Sequence, residues 1–301
     1  MVDENFICLN QEVIRKAKGL IFPAAESEGT FRLNSIFFRL SAEMTTRMHS
    51  AFLRNASPSD QFLSIQHSRY FENSISRFSD FLNRLNLIRW MHGTFESQTG
   101  DDSKYWHLFA GLAVKDFHTD LSSLMDSLAP VIITTTVGVD SLNHDASYLP
   151  GFSHLLPDRR RSFWQKLPSD IQSLIHNTAD WWSPIKRVRD VLIHKEHIKI
   201  IFGNPEDGIW FQNYNPLVKL SSPQIIAEET LCIANGGNQV IDFWKYAAFA
   251  FSELIVFSDA LGEVLAEVLG GTSESLTECM LAFNCPQIVK ALDDLSQNAN
   301  E

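Results

Sequence analysis

The sequence predicts a mainly α protein, a helical bundle with one inserted β-hairpin, and three observations carry that prediction. Apolar residues recur at about three- and four-residue spacing over long stretches, as in Trp106, Phe109, Leu112, Ala113, Phe117, Leu121, Leu124 and Leu128. This is the period of a helix that buries one face. Turn-forming residues cluster between such stretches, at Asn55 to Asp60 and again at Gly138, Pro150, Gly151 and Pro157, and so mark helix boundaries. One place reads as a strand pair: His197 to Phe202 and Ile209 to Tyr214 flank the turn-rich Gly203 to Gly208, the pattern of a hairpin over about 197–214.

Taken in order, Phe31, Ile36, Phe37, Leu40, Met44, Met48 and Phe52 predict a helix from Phe31 to Phe52. Asn55 to Asp60 breaks it and offers a new N-cap, and a second helix follows from about Asp60 to Phe95. The polar run Glu96 to Ser103 is a linker. It divides an N-terminal helical region, 1–98, from a bundle over 99–301, either as a domain boundary or as a hinge inside one domain. A third helix spans about Lys104 to Ile133, with Pro130 expected to end or kink it. Residues 134–158 are loop-rich. Phe163 to Leu167 follows, then Pro168-Ser169-Asp170 opens a helix through His176, and a separate helix runs from Trp181 to Lys195. After the hairpin a long helix from about Pro223 to Leu269, interrupted near Gly236-Gly237, stops at Gly270-Gly271. A short helix from Thr277 to Leu295 completes the pattern.

Composition narrows the function classes. The 301 residues are 45% hydrophobic and 20% charged and include 22 Phe and 7 Trp, enough for a substantial core and unlike a disordered chain. A net charge of −11 argues against a stand-alone nucleic-acid binder. Residues 158–199 depart from that balance, with nine Lys/Arg against five acids, while the rest of the chain holds 16 against 31. Cys8, Cys232, Cys279 and Cys285 form no CxxC pair, which fits isolated thiols in a reducing compartment. The first residues lack the basic and apolar regions of a signal peptide, and the apolar run Tyr246 to Leu269 is interrupted by Glu253, Asp259, Glu263 and Glu267. The expectation is a cytoplasmic protein with no membrane span, no cofactor and no metal.

Chemistry concentrates in Trp181-Trp182-Ser183-Pro184-Ile185-Lys186-Arg187-Val188-Arg189-Asp190-Val191-Leu192-Ile193-His194-Lys195. On a helical wheel Trp181, Ile185, Val188 and Leu192 make one apolar stripe. Arg187 and His194, seven apart, differ by about 20° in direction, and Asp190 stands one turn before His194. Arg189, five before His194, points elsewhere on an ideal helix. Its long side chain, or unwinding at the helix end, would bring it round. A guanidinium neutralises phosphate and an imidazole moves protons near neutral pH, so the pair suits RNA cleavage without a metal.

Arg189-Asp190-Val191-Leu192-Ile193-His194 resembles the R-x4-H form of the motif carried by the HEPN superfamily (higher eukaryotes and prokaryotes nucleotide-binding) late in a helical bundle. A polar residue commonly follows the Arg in that family, and Asp190 fills the place. Arg187 to His194 also counts as R-x6-H. The resemblance covers the helices from about Lys104 onward loosely and residues 181–195 specifically. It implies a homodimeric endoribonuclease in which RNA's own 2′-hydroxyl attacks the adjacent phosphate. His194 would be general acid or base, Arg189 would stabilise the charged transition state, and Asp190 would orient His194. Lys186, Arg187 and Lys195 would hold the RNA. The family also implies a role in stress or defence, with an antitoxin or other regulatory protein as a partner. Two other readings stand beside this one. In the first, a catalytically inactive module of the same fold binds a nucleotide or a protein, with His194 capping the helix and Arg189 pairing with a surface acid. The second is an unrelated helical scaffold. Exposure of Arg189 and His194 together in a cleft separates them.

Rival constellations are weaker. His194, Glu196 and His197 begin a metal-like cluster with no second half, Ser153-His154 lies outside any G-x-S-x-G pattern, and Gly-rich phosphate loops are absent. Arg159-Arg160-Arg161 reads as a solvated turn that can touch RNA backbone. Trp210, Phe211 and Tyr214 read as hairpin packing before base stacking. His107 and His118 read as ordinary surface or core histidines.

Overall fold

The computed structural model describes residues 6–7, 9–25, 27–53, 58–97, 105–138, 141–142, 149–157, 162–194, 205–212, 219–220 and 240–297, without the side chains of 6–7, 47–53, 58–64, 194 and 219–220. In order along the chain come β1 (Phe6–Ile7), α1 (Gln11–Gly19), β2 (Ile21–Pro23), β3 (Phe31–Asn34), α2 (Ile36–Leu53), α3 (Pro58–Glu96), α4 (Trp106–Thr136) and α5 (Ser169–His194). Then follow β4 (Trp210–Gln212), β5 (Lys219–Leu220), β6 (Val240–Asp242), α6 (Phe243–Val268), β7 (Met280–Phe283) and α7 (Pro286–Gln297). The mainly α bundle is therefore what the periodicity predicts.

The bundle is built around α6. Asp242 caps it by accepting from the N–H groups of Trp244 and Lys245 at 2.9 and 3.2 Å. From Phe243 to Ala266 it buries residues on most sides, including Tyr246, Phe249, Phe251, Leu254, Ile255 and Leu261. A helix that is apolar nearly all round must be enclosed, and α1, α2, α4, α5 and α7 all pack against it. Gly270, at φ 75°, ends it in the left-handed conformation expected of a glycine stop. No helix among the described residues is long and apolar enough to cross a membrane. Residues 223–239, the expected first half of this helix, lie outside the described residues.

The N-terminal helices share this core. Asn10 caps α1, accepting from Glu12 N–H at 3.0 Å, and Lys18 ties α1 to α7 through Asp293 at 2.7 Å. Asp259 on α6 accepts from Ile36 N–H at 2.7 Å, so one helix supplies the cap for the start of another. Phe37, Phe38, Phe71 and Phe78 from α2 and α3 form a contiguous aromatic block inside. Along α3 and α4, Phe81 meets Phe117 and Phe95 stacks on Phe109.

Four expectations are corrected. Phe31 to Asn34 is a strand and the helix starts at Ile36; β3 lies between β2 and β7, pairing Phe22 with Arg32 and Phe31 with Phe283. The last helical segment splits likewise into strand Met280–Phe283 and helix Pro286–Gln297. Of the two outcomes expected of Pro130, an end to the helix does not occur, since α4 runs to Thr136. The buried surroundings of Pro130 hold the helix where propensity alone would break it. The helices through His176 and from Trp181 are one, α5, with Pro184 inside it. Strand Trp210–Gln212 is present where the hairpin was expected; its antiparallel partner among the described residues is Val240–Asp242, and 197–202 lie outside them.

Two titratable groups, one buried and one half-buried, contribute to the pH response. His118 is fully enclosed, donating from Nδ1 to Val114 O at 2.8 Å and accepting at Nε2 from the Tyr246 hydroxyl at 2.9 Å. Burial lowers its pKa to about 4, so it is neutral in the fold. Burial raises Glu253, on α6, to about 7. Between its ordinary value and 7 the unfolded chain ionises first, so Glu253 costs stability as pH rises through that window. The His118 contribution, present above pH 6.5, is lost as pH falls toward 4. Glu253→Gln is expected to leave stability at pH 4.5 nearly unchanged. At pH 8 it is expected to raise stability relative to wild type, by on the order of 2 kcal/mol, as read by urea midpoints at the two pH values.

Candidate functional site

The Arg/His helix is held by its apolar stripe. Trp181, Trp182, Ile185 and Leu192 are buried and Val188 packs beside them, as the wheel predicts. Trp182 meets Phe152 edge to face at 6.3 Å, and Phe152 meets Phe257 of α6 at 5.7 Å. Phe152 is itself fixed by a close approach: its N–H donates to Asp126 Oδ1 at 2.8 Å. A Cβ at Gly151 would stand 2.5 Å from that same oxygen, so a side chain there would push the Asp126 carboxylate off the Phe152 N–H. These contacts bind α5 to α4 and α6 and leave its other side in solvent.

On that other side Arg187 is exposed, while Lys186, Arg189 and Asp190 are half-buried. Arg189 Nη1 donates to Asp190 Oδ1 at 2.8 Å. Arg189 Nε is buried and has no hydrogen-bond partner among the described residues. The helix stays regular through His194, so unwinding does not bring Arg189 round; its side chain reaches Asp190 by length. The His194 side chain and Lys195 lie outside the described residues, and the described partner of Asp190 is Arg189. Among the six expected site residues, Arg189 and Asp190 are thus in contact, and Lys186 and Arg187 share their helix. His194 is placed by its backbone as the final residue of α5.

The rival constellations resolve into packing where they are described. Phe211 is buried against Tyr246 and His118, and Trp210 Nε1 donates to the carbonyl of Asp207. His107 is exposed and His118 is core. His154 Nδ1 lies 3.2 Å from Gly151 O, in a single turn of 3₁₀ helix from Phe152 to Leu155. Among the described residues no three His, Cys, Asp or Glu side chains converge as metal ligands; Glu196 and His197 lie outside them, as do Arg159 to Arg161 and Tyr214.

A concave feature lies elsewhere, away from the site residues the sequence singles out. A cleft of about 180 Å³ lies between β4, the start of α6 and α7, lined by Asp207, Trp210, Trp244, Lys245, Gln287 and Lys290 among others. Trp244 links it to an aromatic group below, donating from Nε1 to His92 Nδ1 at 3.3 Å, while His92 Nε2 lies 2.9 Å from Pro205 O. Burial raises the pKa of Asp242 at its edge, with Asp294 adding to the effect. The lining comes from three separated stretches, none with a local motif, so no sequence signal marks it. Comparison with family models, with curated proteins and with solved structures finds no match for this chain.

Proposed function

We propose that the chain is a metal-independent endoribonuclease of the HEPN kind, acting through the end of α5. The observation that supports it is the placement of Arg189: a half-buried side chain, one residue from a carboxylate it touches, on a helix whose other side is locked into the core. His194 ends the same helix, and the segment around it carries the chain's positive excess. In the proposed reaction a base removes the proton of a ribose 2′-hydroxyl, whose oxygen attacks the adjacent phosphorus. The 5′-oxygen leaves with a proton from an acid. The products are a 2′,3′-cyclic phosphate and a 5′-hydroxyl. His194 serves as acid or base, and Arg189 offsets charge on the phosphate oxygens, which requires it to swing from Asp190 to substrate. Lys186, Arg187 and Lys195 hold the backbone. Two copies of the chain, cytoplasmic location and a role in stress or defence under a regulatory partner belong to the same proposal.

The Arg189–Asp190 pair also favours a second reading, an inactive module of the same fold that binds a nucleotide or a protein. There the carboxylate keeps the guanidinium occupied, and the net charge of −11 repels RNA. A mixed RNA pool in EDTA separates the two readings. Wild type is expected to cleave it, and His194→Ala and Arg189→Ala are expected to slow cleavage by about 10² to 10⁴. Equal cleavage by all three proteins, or none by wild type, decides for the module.

A further inference from the structure

The cleft beside the start of α6 is lined by two tryptophans and by charges of both signs. Trp210 Nε1 donates to the carbonyl of Asp207, and Trp244 Nε1 donates to His92 Nδ1 at 3.3 Å. Both indole N–H groups are therefore spent inside the protein. What the two half-buried rings leave for a bound molecule is carbon and π surface, suited to a flat apolar group. At about 180 Å³ the cleft is smaller than the sites of about 300 Å³ and more that hold drug-sized ligands, so it suits a small metabolite.

The charged groups of the cleft stand unpaired. Lys245 on α6 and Lys290 on α7 line it together with Asp242 and Asp294, and none of the four forms an ion pair among the described residues. Lys290 and Asp294 lie one turn apart on α7, within reach of each other, yet do not close. Asp242 spends Oδ1 on the N–H groups of Trp244 and Lys245, and Oδ2 takes no hydrogen bond among the described residues. The charges nonetheless feel one another. Burial raises the Asp242 pKa, Lys245 opposes the rise through its backbone bond and its charge, and the charge of Asp294 adds to it. On the α7 wall the Gln287 side-chain oxygen is buried with no hydrogen-bond partner among the described residues, an acceptor with an unmet demand for N–H.

We propose that this cleft binds a free α-amino acid with an aromatic side chain, held as the zwitterion. The ligand ammonium donates to the Asp242 and Asp294 carboxylates, and the ligand carboxylate accepts from the Lys245 and Lys290 ammonium groups. The ligand ring lies against Trp210 and Trp244. An ion of one sign leaves the other half of the site unanswered, since a lone cation meets two lysines and a lone anion meets two aspartates. A zwitterion answers both halves, and its ring keeps water from the charged contacts, which strengthens them. The cleft is separate from α5, and the inference does not rest on RNA cleavage.

Calorimetric titration of the full chain with L-phenylalanine at neutral pH tests it. Wild type is expected to bind with a dissociation constant below about 1 mM. Phenethylamine, which lacks the carboxylate, and hydrocinnamate, which lacks the ammonium, are each expected to bind about tenfold more weakly or worse. Lys290→Met and Asp294→Asn, which remove one charge from each half of the site, are expected to keep the wild-type helical circular dichroism. Each is expected to weaken L-phenylalanine about tenfold. Lys16→Met, exposed on α1, leaves its affinity unchanged. A wild type that does not bind L-phenylalanine overturns the proposal. Either single-charge analogue binding as tightly as L-phenylalanine overturns it too, as does an affinity untouched by Lys290→Met or by Asp294→Asn.

Discussion

Gly262→Ala is expected to destabilise the protein by about 3 kcal/mol, against the ordinary preference for alanine inside a helix. A Cβ at Gly262 would stand 2.3 Å from the backbone nitrogen of Phe37, 2.6 Å from the carbonyl carbon of Ile36 and 2.8 Å from Phe37 Cα. These are main-chain atoms at the first turn of α2, and no rotamer change relieves them. The two helices have to separate, which also lengthens the bond from Ile36 N–H to Asp259 and disturbs Phe37 within its aromatic block. Urea unfolding measures the effect as a drop in midpoint at constant slope. A glycine-to-alanine gain of stability at this position would show that α6 and α2 do not touch as described.

Trp182→Ala is expected to cost about 3 to 5 kcal/mol, the range for emptying a large aromatic site in a packed core. Trp182 is 1% exposed and touches Trp181 and Phe152. Through Phe152 it holds α5 to Phe257 of α6. The substitution therefore loosens the element that presents Arg189 as well as lowering global stability. Trp182→Phe keeps a ring in the site and is expected to lose less than half as much. Thermal or urea unfolding of the two variants side by side checks the ratio.

The helices were legible because their burial is periodic. Leu82, Leu85 and Ile88, or Phe117, Leu121 and Leu124, announce their helices without knowledge of a partner. Strands β3 and β7 were not legible, because their causes are distant. Phe31-Arg32-Leu33-Asn34 alternates for only four residues, and what makes it a strand is pairing with Met280 to Phe283, some 250 positions away. Its one local sign was Ser35, whose Oγ accepts from Phe37 N–H at 3.3 Å and marks a helix starting later than the apolar spacing suggests. Pro130 misled for the converse reason: local propensity breaks a helix there, and tertiary burial keeps it running to Thr136. In the candidate site, the apolar stripe that orients α5 could be read from the wheel. The contact between Arg189 and Asp190 could not, since adjacent residues on a helix point apart and only the length of an arginine closes the distance.

The central claim is that α5 delivers an RNA-cleaving pair, and the chemistry of the product ends tests it most directly. RNA cut by the wild-type protein in EDTA is predicted to end in a 2′,3′-cyclic phosphate, with a 5′-hydroxyl on the other fragment, and His194→Ala is predicted to yield neither. Fragments ending in a 3′-hydroxyl and a 5′-phosphate, or cyclic ends made equally well by His194→Ala, would contradict it.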